Sequence, residues 1–312
     1  MRYAIIGTGG IGGYLGAKLI AAGGDVAVLA RGAHLAAIRD KGLTLRQTIN
    51  GADGEITVHP AIATDDGEAL GIADVAVFAV KGQDLAIAIE TARPAIGPQT
   101  LALPFLNGVE AHALLAEAYG ANRALIGVAQ ISALIAGPGV IQKASPFARF
   151  FIGGLDGGQG APRVAEIIGN FRAAGIDAPD RDDVLVDLWQ KFVFLTALSA
   201  TTAGARTDIG TIRDTPDLWA MYQRLAEEAA AVGRARGVAL AEDVVGKAIY
   251  LAETLPPEMR ASLAHDLAAG KRLEIDWLSG AVTRLGREAG VDTSSHAAVA
   301  ALLGPWREGG DT

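Results

Sequence analysis

A lysine set in an apolar stretch is the residue of this chain best suited to proton chemistry. Lys191 is followed by Phe-Val-Phe-Leu, and no further charged side chain occurs before Arg206. An ammonium held away from water gives up its proton more readily than the free side chain, whose pKa is ~10.4, and so becomes a usable acid. Asp187, four residues earlier, allows the plainer alternative of a surface ion pair on one helix face. A second cluster, Ser262 to Trp277, contains Glu274 and Asp276. Glu274 is expected to open a long helix, where the dipole favours a carboxylate; a carboxylate there could equally accept from a substrate hydroxyl. Ser262 could cap a turn or donate to a substrate carboxylate. Chemistry alone leaves each of these alternatives open.

An anion-binding turn is written at the other end of the chain. Gly7-Thr8-Gly9-Gly10-Ile11-Gly12 carries the spacing G-x-G-x-x-G directly after the apolar run Tyr3 to Ile6. Gly7 permits a sharp turn, Gly9 leaves room for a pyrophosphate beside the backbone, and Gly12 lets the helix sit close to its strand. Free N–H groups at the helix start, around Gly10 and Ile11, then face an anion with the helix dipole in support. Among 40 glycines the spacing alone is weak. Its place between a strand and a helix, with another apolar strand from Asp25 to Ala30, makes it a dinucleotide site. That strand runs into Ala30-Arg31-Gly32. An NAD-specific site places Asp or Glu about 20 residues past the glycines to accept from the ribose 2′-hydroxyl. Arg31 instead suits a 2′-phosphate, which a guanidinium meets bidentately, and it points to NADP(H) rather than to a solvated loop arginine.

The elements that must hold these residues follow from periodicity. Ile11 to Ala22 is helical. Leu43 to Arg46 and Glu55 to His59 form a small antiparallel excursion around the turn signal Asn50-Gly51. Ala73 to Val80 has the continuous apolar character of a buried parallel strand and runs into Lys81 at the carboxyl edge, where such sheets bind ligands. A helix from Leu85 to Ala92, a strand from Thr100 to Leu106 leading into Asn107-Gly108, and a helix from Glu110 to Tyr119 continue the alternation. Ala124 to Ala136, Gly139 to Lys143 and Phe150 to Gly154 read as three further strands, and Arg163 to Ala174 as a helix. From Asp182 onward the spacing is helical throughout. The expected fold is therefore α/β followed by all-α: a Rossmann-type doubly wound sheet over residues 1–178, then a helical domain over 179–312.

Composition excludes several function classes. The 312 residues carry a net charge of −8 and show no basic stripe, which argues against nucleic acid as a partner. There is no cysteine, so thiol nucleophiles, disulfides and cysteine metal sites are ruled out. The five histidines have no close ligand spacing, and no metal is expected. No uninterrupted apolar run reaches the ~18 residues of a membrane span, so a cytoplasmic protein without a membrane partner is expected. The alanine- and leucine-rich helical half offers a surface for a homodimer.

Taken together, Ile6 to Gly12, Leu29-Ala-Arg31, Ala79-Val-Lys81, Leu106-Asn107-Gly108, Leu188-Trp-Gln-Lys191 and Glu274-Ile-Asp276 resemble the ketopantoate reductase (2-dehydropantoate 2-reductase) family over nearly the whole length. The resemblance implies an enzyme that uses NADPH to reduce a 2-oxo acid to a 2-hydroxy acid, in pantothenate biosynthesis. It implies Lys191 as general acid, Glu274 holding a substrate hydroxyl and lying near the cofactor, and Ser262 helping to hold the carboxylate. Asn107 would lie between nicotinamide and substrate, with Arg31 and Lys81 toward the adenosine end. Where the family carries asparagines one and two turns past the lysine, this chain has Leu195 and Ser199, and Met259 or its neighbour replaces another before Ser262. These positions line a less polar pocket, suited to 2-dehydropantoate or a related, more apolar 2-oxo acid. The alternatives are a 2-hydroxy acid dehydrogenase acting oxidatively and a non-catalytic NADP(H)-binding sensor.

Overall fold

Short apolar runs separated by glycine-rich turns form strands when both faces are covered, and the N-terminal half is built on five of them. The computed structural model describes residues 1–49 and 52–310, so the Asn50-Gly51 turn signal lies outside the described residues. The chain divides into two units, one comprising Met1–Leu106 with Glu110–Leu185, the other Asn107–Val109 with Val186–Thr312. The sequence places the change of character earlier, near Pro179.

The first unit opens with β1 (Arg2–Ile6), α1 (Gly10–Ala21), β2 (Asp25–Leu29) and α2 (Gly32–Lys41). A hairpin of β3 (Leu43–Ile49) and β4 (Ala52–Val58) follows, then β5 (Ile62–Thr64), β6 (Val75–Phe78), α3 (Leu85–Ala92), β7 (Leu101–Pro104) and α4 (Ala111–Tyr119). The unit closes with β8 (Leu125–Gly137), β9 (Val140–Gly154) and α5 (Pro162–Ala173). Five strands form one sheet in the order β5-β2-β1-β6-β7, and every pairing in it is parallel. The Rossmann-type reading is borne out. The chain steps from β1 to β2 on one side and returns to β6 on the other, so the order reverses at β1, and ligands bind such sheets at the carboxyl ends beside the reversal. The glycine turn leaves β1 at that end.

A second sheet, in the order β4-β3-β9-β8, is mixed: β3 pairs β4 antiparallel and β9 parallel. Here the expectation of separate strands at Gly139–Lys143 and Phe150–Gly154 is corrected, because β9 runs through both. The register explains why the sequence hides it. Ile131 pairs Ala148 while Ala133 pairs Lys143, so residues 144–147 bulge out opposite Ser132. The Ser132 N–H donates to Ser145 Oγ at 2.9 Å and Ser145 Oγ donates to the Phe147 carbonyl. A bulge tolerates Pro146, which a regular ladder would not.

In the second unit, the described residues form helices and no strand: α6 (Val184–Gly204), α7 (Ile209–Asp214), α8 (Pro216–Ala235), α9 (Val244–Thr254), α10 (Ser262–Ala268), α11 (Ser279–Ala289) and α12 (Ser294–Leu303). By length and composition α6 would cross a membrane, yet 67% of its apolar window is buried within the protein. Its polar residues are accommodated locally. Thr196, Thr201 and Thr202 are buried, and each hydroxyl donates to the carbonyl four residues back, at 2.9, 2.8 and 2.7 Å.

His296 ties this unit together. Its ring is fully buried, with Nδ1 3.1 Å from Ser279 Oγ and Nε2 3.0 Å from the Leu225 carbonyl, which only Nε2–H can satisfy by donating. Burial pushes its pKa down to about 4, the Leu225 bond and the Glu228 carboxylate opposing that shift. The unfolded chain takes up a proton near the ordinary value of 6.5. Stability from this residue is therefore complete above pH 6.5 and is lost as pH falls toward 4. Thermal melts across that window should show Tm falling with pH, and His296→Gln should flatten the fall; an equal slope in the variant would remove His296 as its cause.

Candidate active site

The glycine turn has the geometry of an anion cradle. Gly7 has φ +95°, and a Cβ there would lie 2.6 Å from Val80 Cγ1, so no other residue fits. The N–H groups of Gly7 and Thr8 and the Thr8 hydroxyl all donate to the Leu29 carbonyl, at 3.3, 3.1 and 2.9 Å, which pins the turn to the end of β2. Gly9 occupies the cap of α1 with no side-chain cap bond, and a Cβ there would meet no atom within 4 Å. Open space beside uncapped helix N–H groups suits a pyrophosphate. A side chain at Gly12 would run into the Gly7 carbonyl, and one at Gly10 into the Ala133 carbonyl of β8. Ile11 is partly buried on α1, Arg31 caps α2, and Lys81 follows β6; both basic side chains are exposed.

Sequence reasoning missed His34. It lies in the first turn of α2, where a lone histidine gives no local signal. In the fold its Nδ1 accepts from the Gly139 N–H at 3.0 Å, which leaves Nε2–H to donate to the Thr8 carbonyl at 2.8 Å. Burial lowers its pKa, against the Thr8 bond. The neutral ring thus joins the middle of the glycine turn to the β8–β9 turn. His34→Ala should raise the KM for the nicotinamide cofactor severalfold, since each net hydrogen bond lost is worth about 1 kcal/mol. An unchanged cofactor KM would count against a positioning role.

The second constellation lies within the helical unit. Lys191 sits two turns into α6 and donates through Nζ to Asn107 Oδ1 at 3.2 Å. Asn107 follows β7 in sequence but packs with the helices, three residues being shared out to that unit as Asn107–Val109. Part of the Lys191 side chain remains exposed, while burial around its ammonium pushes the pKa down to about 8 and the Glu274 carboxylate acts in the opposite sense. Glu274 itself is only 3% exposed. The structure thus brings Lys191, Asn107 and Glu274 together, and the charge acting on Lys191 is Glu274 rather than the Asp187 of a surface pair.

One expectation is corrected here, and one alternative for Ser262 is selected. Glu274 does not open a long helix: it caps the 3-10 turn Ile275–Trp277, and Leu278, at φ −112° and ψ −100°, breaks the backbone before α11 begins. Ser262 caps nothing, because the cap of α10 is Ala261 and Ser262 is its exposed first residue. The start of α10 is tied to α6, since the Ala261 N–H donates to Thr202 Oγ1 at 3.3 Å. Leu195 lies one turn past Lys191 and is partly exposed. Ser199 is fully buried, and its hydroxyl has no hydrogen-bond partner among the described residues.

Comparison with known proteins gives the family. Residues 3–157 match the family described as ketopantoate reductase PanE/ApbA, and residues 183–306 match its C-terminal counterpart. The 2-dehydropantoate 2-reductase of Halobacterium salinarum is 32% identical, the alignment covering 92% of this chain and 93% of that one. The chain belongs to the ketopantoate reductase family. It is an oxidoreductase acting on CH–OH groups. The crystal structure of a PanE/ApbA family ketopantoate reductase from Ralstonia eutropha JMP134 superposes with a TM-score of 0.87 at 30% identity, covering 98% of each chain. The fold is also that of a D-mandelate dehydrogenase, solved as a ternary structure with NADH and anilino(oxo)acetate, at a TM-score of 0.86 and 21% identity over 98% of each chain.

Proposed function

We propose that this ketopantoate reductase family member reduces a 2-oxo acid to the 2-hydroxy acid with NADPH, and that Lys191 is the general acid. The observation that carries the reading is the Lys191 ammonium donating to Asn107 Oδ1 at 3.2 Å near the buried Glu274, with burial lowering its pKa to about 8. A nicotinamide dinucleotide supplies the hydride when bound, and the glycine turn with Arg31 and Lys81 would hold it. Lys191 has three N–H groups; one is taken by Asn107, which leaves others for a substrate carbonyl oxygen. As that oxygen gains negative charge, Lys191 stabilises it and passes over a proton. Glu274 would accept from a substrate hydroxyl. Ser262, exposed at the start of α10, would meet the carboxylate.

Leu195 favours an apolar substrate side chain over 2-dehydropantoate, because a buried donor that is missing costs about 1–3 kcal/mol when its partner remains. The lowered pKa of Lys191, about 8, supports a second reading, a 2-hydroxy acid dehydrogenase acting oxidatively with neutral Lys191 as base.

A panel of 2-oxo acids followed at the NADPH absorbance tests the reaction and ranks the substrates. Lys191→Ala should lower turnover by about 10²–10⁴-fold, as expected for loss of a positioned acid. In the parent, kcat/KM for reduction should fall as pH rises through about 8, where Lys191 loses its proton. Equal turnover in variant and parent would falsify the acid assignment. For the cofactor, Arg31→Ala should erase a preference for NADPH over NADH; a preference that survives would place the 2′-phosphate elsewhere.

A further inference from the structure

Glu274 is held in backbone that has no regular structure of its own. The turn at Ala269–Gly270 is followed by four residues in neither helix nor strand, ending at Glu274. Beyond the 3-10 turn that it caps, no helix or sheet ladder fixes the approach of the chain to this carboxylate. Its position is nevertheless defined, since it is almost fully buried and acts on the Lys191 ammonium.

The segment after α12 supplies what the loop lacks. The Leu273 N–H, one residue before Glu274, donates to the Arg307 carbonyl at 2.9 Å, and the Gly310 N–H donates to the Gly270 carbonyl at 3.0 Å. Arg272 pairs with Glu308 at 2.9 Å, and on the far side of Glu274 the Arg307 guanidinium reaches Asp276 at 3.1 Å. Close approach is built into the chain: a Cβ at Gly309 would lie 2.6 Å from the Gly270 carbonyl. The ion pairs are half exposed and weak singly, so the backbone bonds set the register and the charges add direction.

A separate feature anchors this segment to the helix that carries Lys191. Arg206, just beyond the end of α6, places its guanidinium over the Trp306 ring, 4.7 Å from the centroid. Among the described residues, Arg206 is the non-glycine residue with positive φ, at +54°. A side chain in the left-handed region is strained and persists where surrounding contacts over-determine it. The stack on Trp306 is such a contact.

We propose that Gly304–Gly310 is a strap, anchored by Arg206 on Trp306 and directed by Arg307, that positions Glu274 beside Lys191. Trp306, Arg307 and Arg206 are then positioning residues for the site. The assignment rests on the reading of Lys191 and Glu274 as site residues.

Arg206→Gly is the sharpest probe, because it relieves the backbone strain while deleting the stack. Trp306→Ala removes the other half, and Trp306→Phe keeps a ring for the guanidinium. The strap predicts that Arg206→Gly and Trp306→Ala raise the KM for the 2-oxo acid about tenfold, with NADPH affinity unchanged and Trp306→Phe restoring most of the loss. Arg206→Gly should melt no lower than the parent. A readout independent of turnover is the titration of Lys191, followed by NMR of the enzyme reductively methylated with carbon-13 and assigned with Lys191→Ala. Its midpoint should fall in both strap variants, as in Glu274→Gln, because the carboxylate that raises it has moved away. An unchanged Lys191 midpoint in Trp306→Ala, or a KM rise matched by equal losses in NADPH affinity and Tm, would overturn the strap. A parent that reduces no 2-oxo acid would defeat the assigned reaction while the Lys191 midpoint still decides the strap.

Discussion

The candidate site depends on a balance between two opposing effects on one ammonium group. Desolvation drives the Lys191 proton off and the Glu274 carboxylate holds it on, and the outcome is a pKa of about 8. At neutral pH such a group is mostly charged, able to stabilise negative charge on oxygen, and still able to part with its proton. Burial alone would lower the pKa further, and a closer carboxylate would raise it. The Asn107 amide, which accepts one N–H, fixes the direction without adding charge. Much of the helical unit serves this balance: α6 supplies a rigid apolar setting, its threonines bonding their own helix backbone rather than competing for the lysine.

How much of this was legible in the sequence depends on how far apart the partners lie. Gly7, Gly9 and Gly12 are spaced within one turn of structure, and they disclose the strand, the cradle and the helix after it. Lys191 stood out because its neighbours are apolar, again a local pattern. Glu274 stands out in the sequence as a carboxylate, but the helix start expected for it is a 3-10 turn instead. Periodicity reads along one segment, whereas what fixes Glu274 arrives from residues more than thirty positions away. His34 was silent for the same reason, since its two partners belong to the turn before it and to a turn about a hundred residues later. Strand β9 was split in two by Pro146, whose meaning as a bulge residue emerges only from the register with β8.

Ser262, which follows the family pattern, and Ser199, which departs from it, have different fates. Ser262 stands in the open at the start of a short helix, while Ser199 is sealed in protein with its oxygen unpaired among the described residues. A buried unpaired hydroxyl is a cost that folding alone does not explain. With Leu195 one turn earlier, it lies in the stretch of α6 where the family resemblance would place asparagines.

The glycine fingerprint also contains a demand that its usual formula omits. The formula leaves both positions between the second and third glycines free, yet here the first of them, Gly10, is held bare by the passage of β8, whose Ala133 carbonyl occupies the place of a side chain. The constraint comes from the protein's own second sheet and not from any nucleotide. Libraries that randomise this turn to exchange one coenzyme for another would therefore lose members at Gly10 through misfolding, and scoring them by coenzyme use would mistake an architectural veto for a recognition rule.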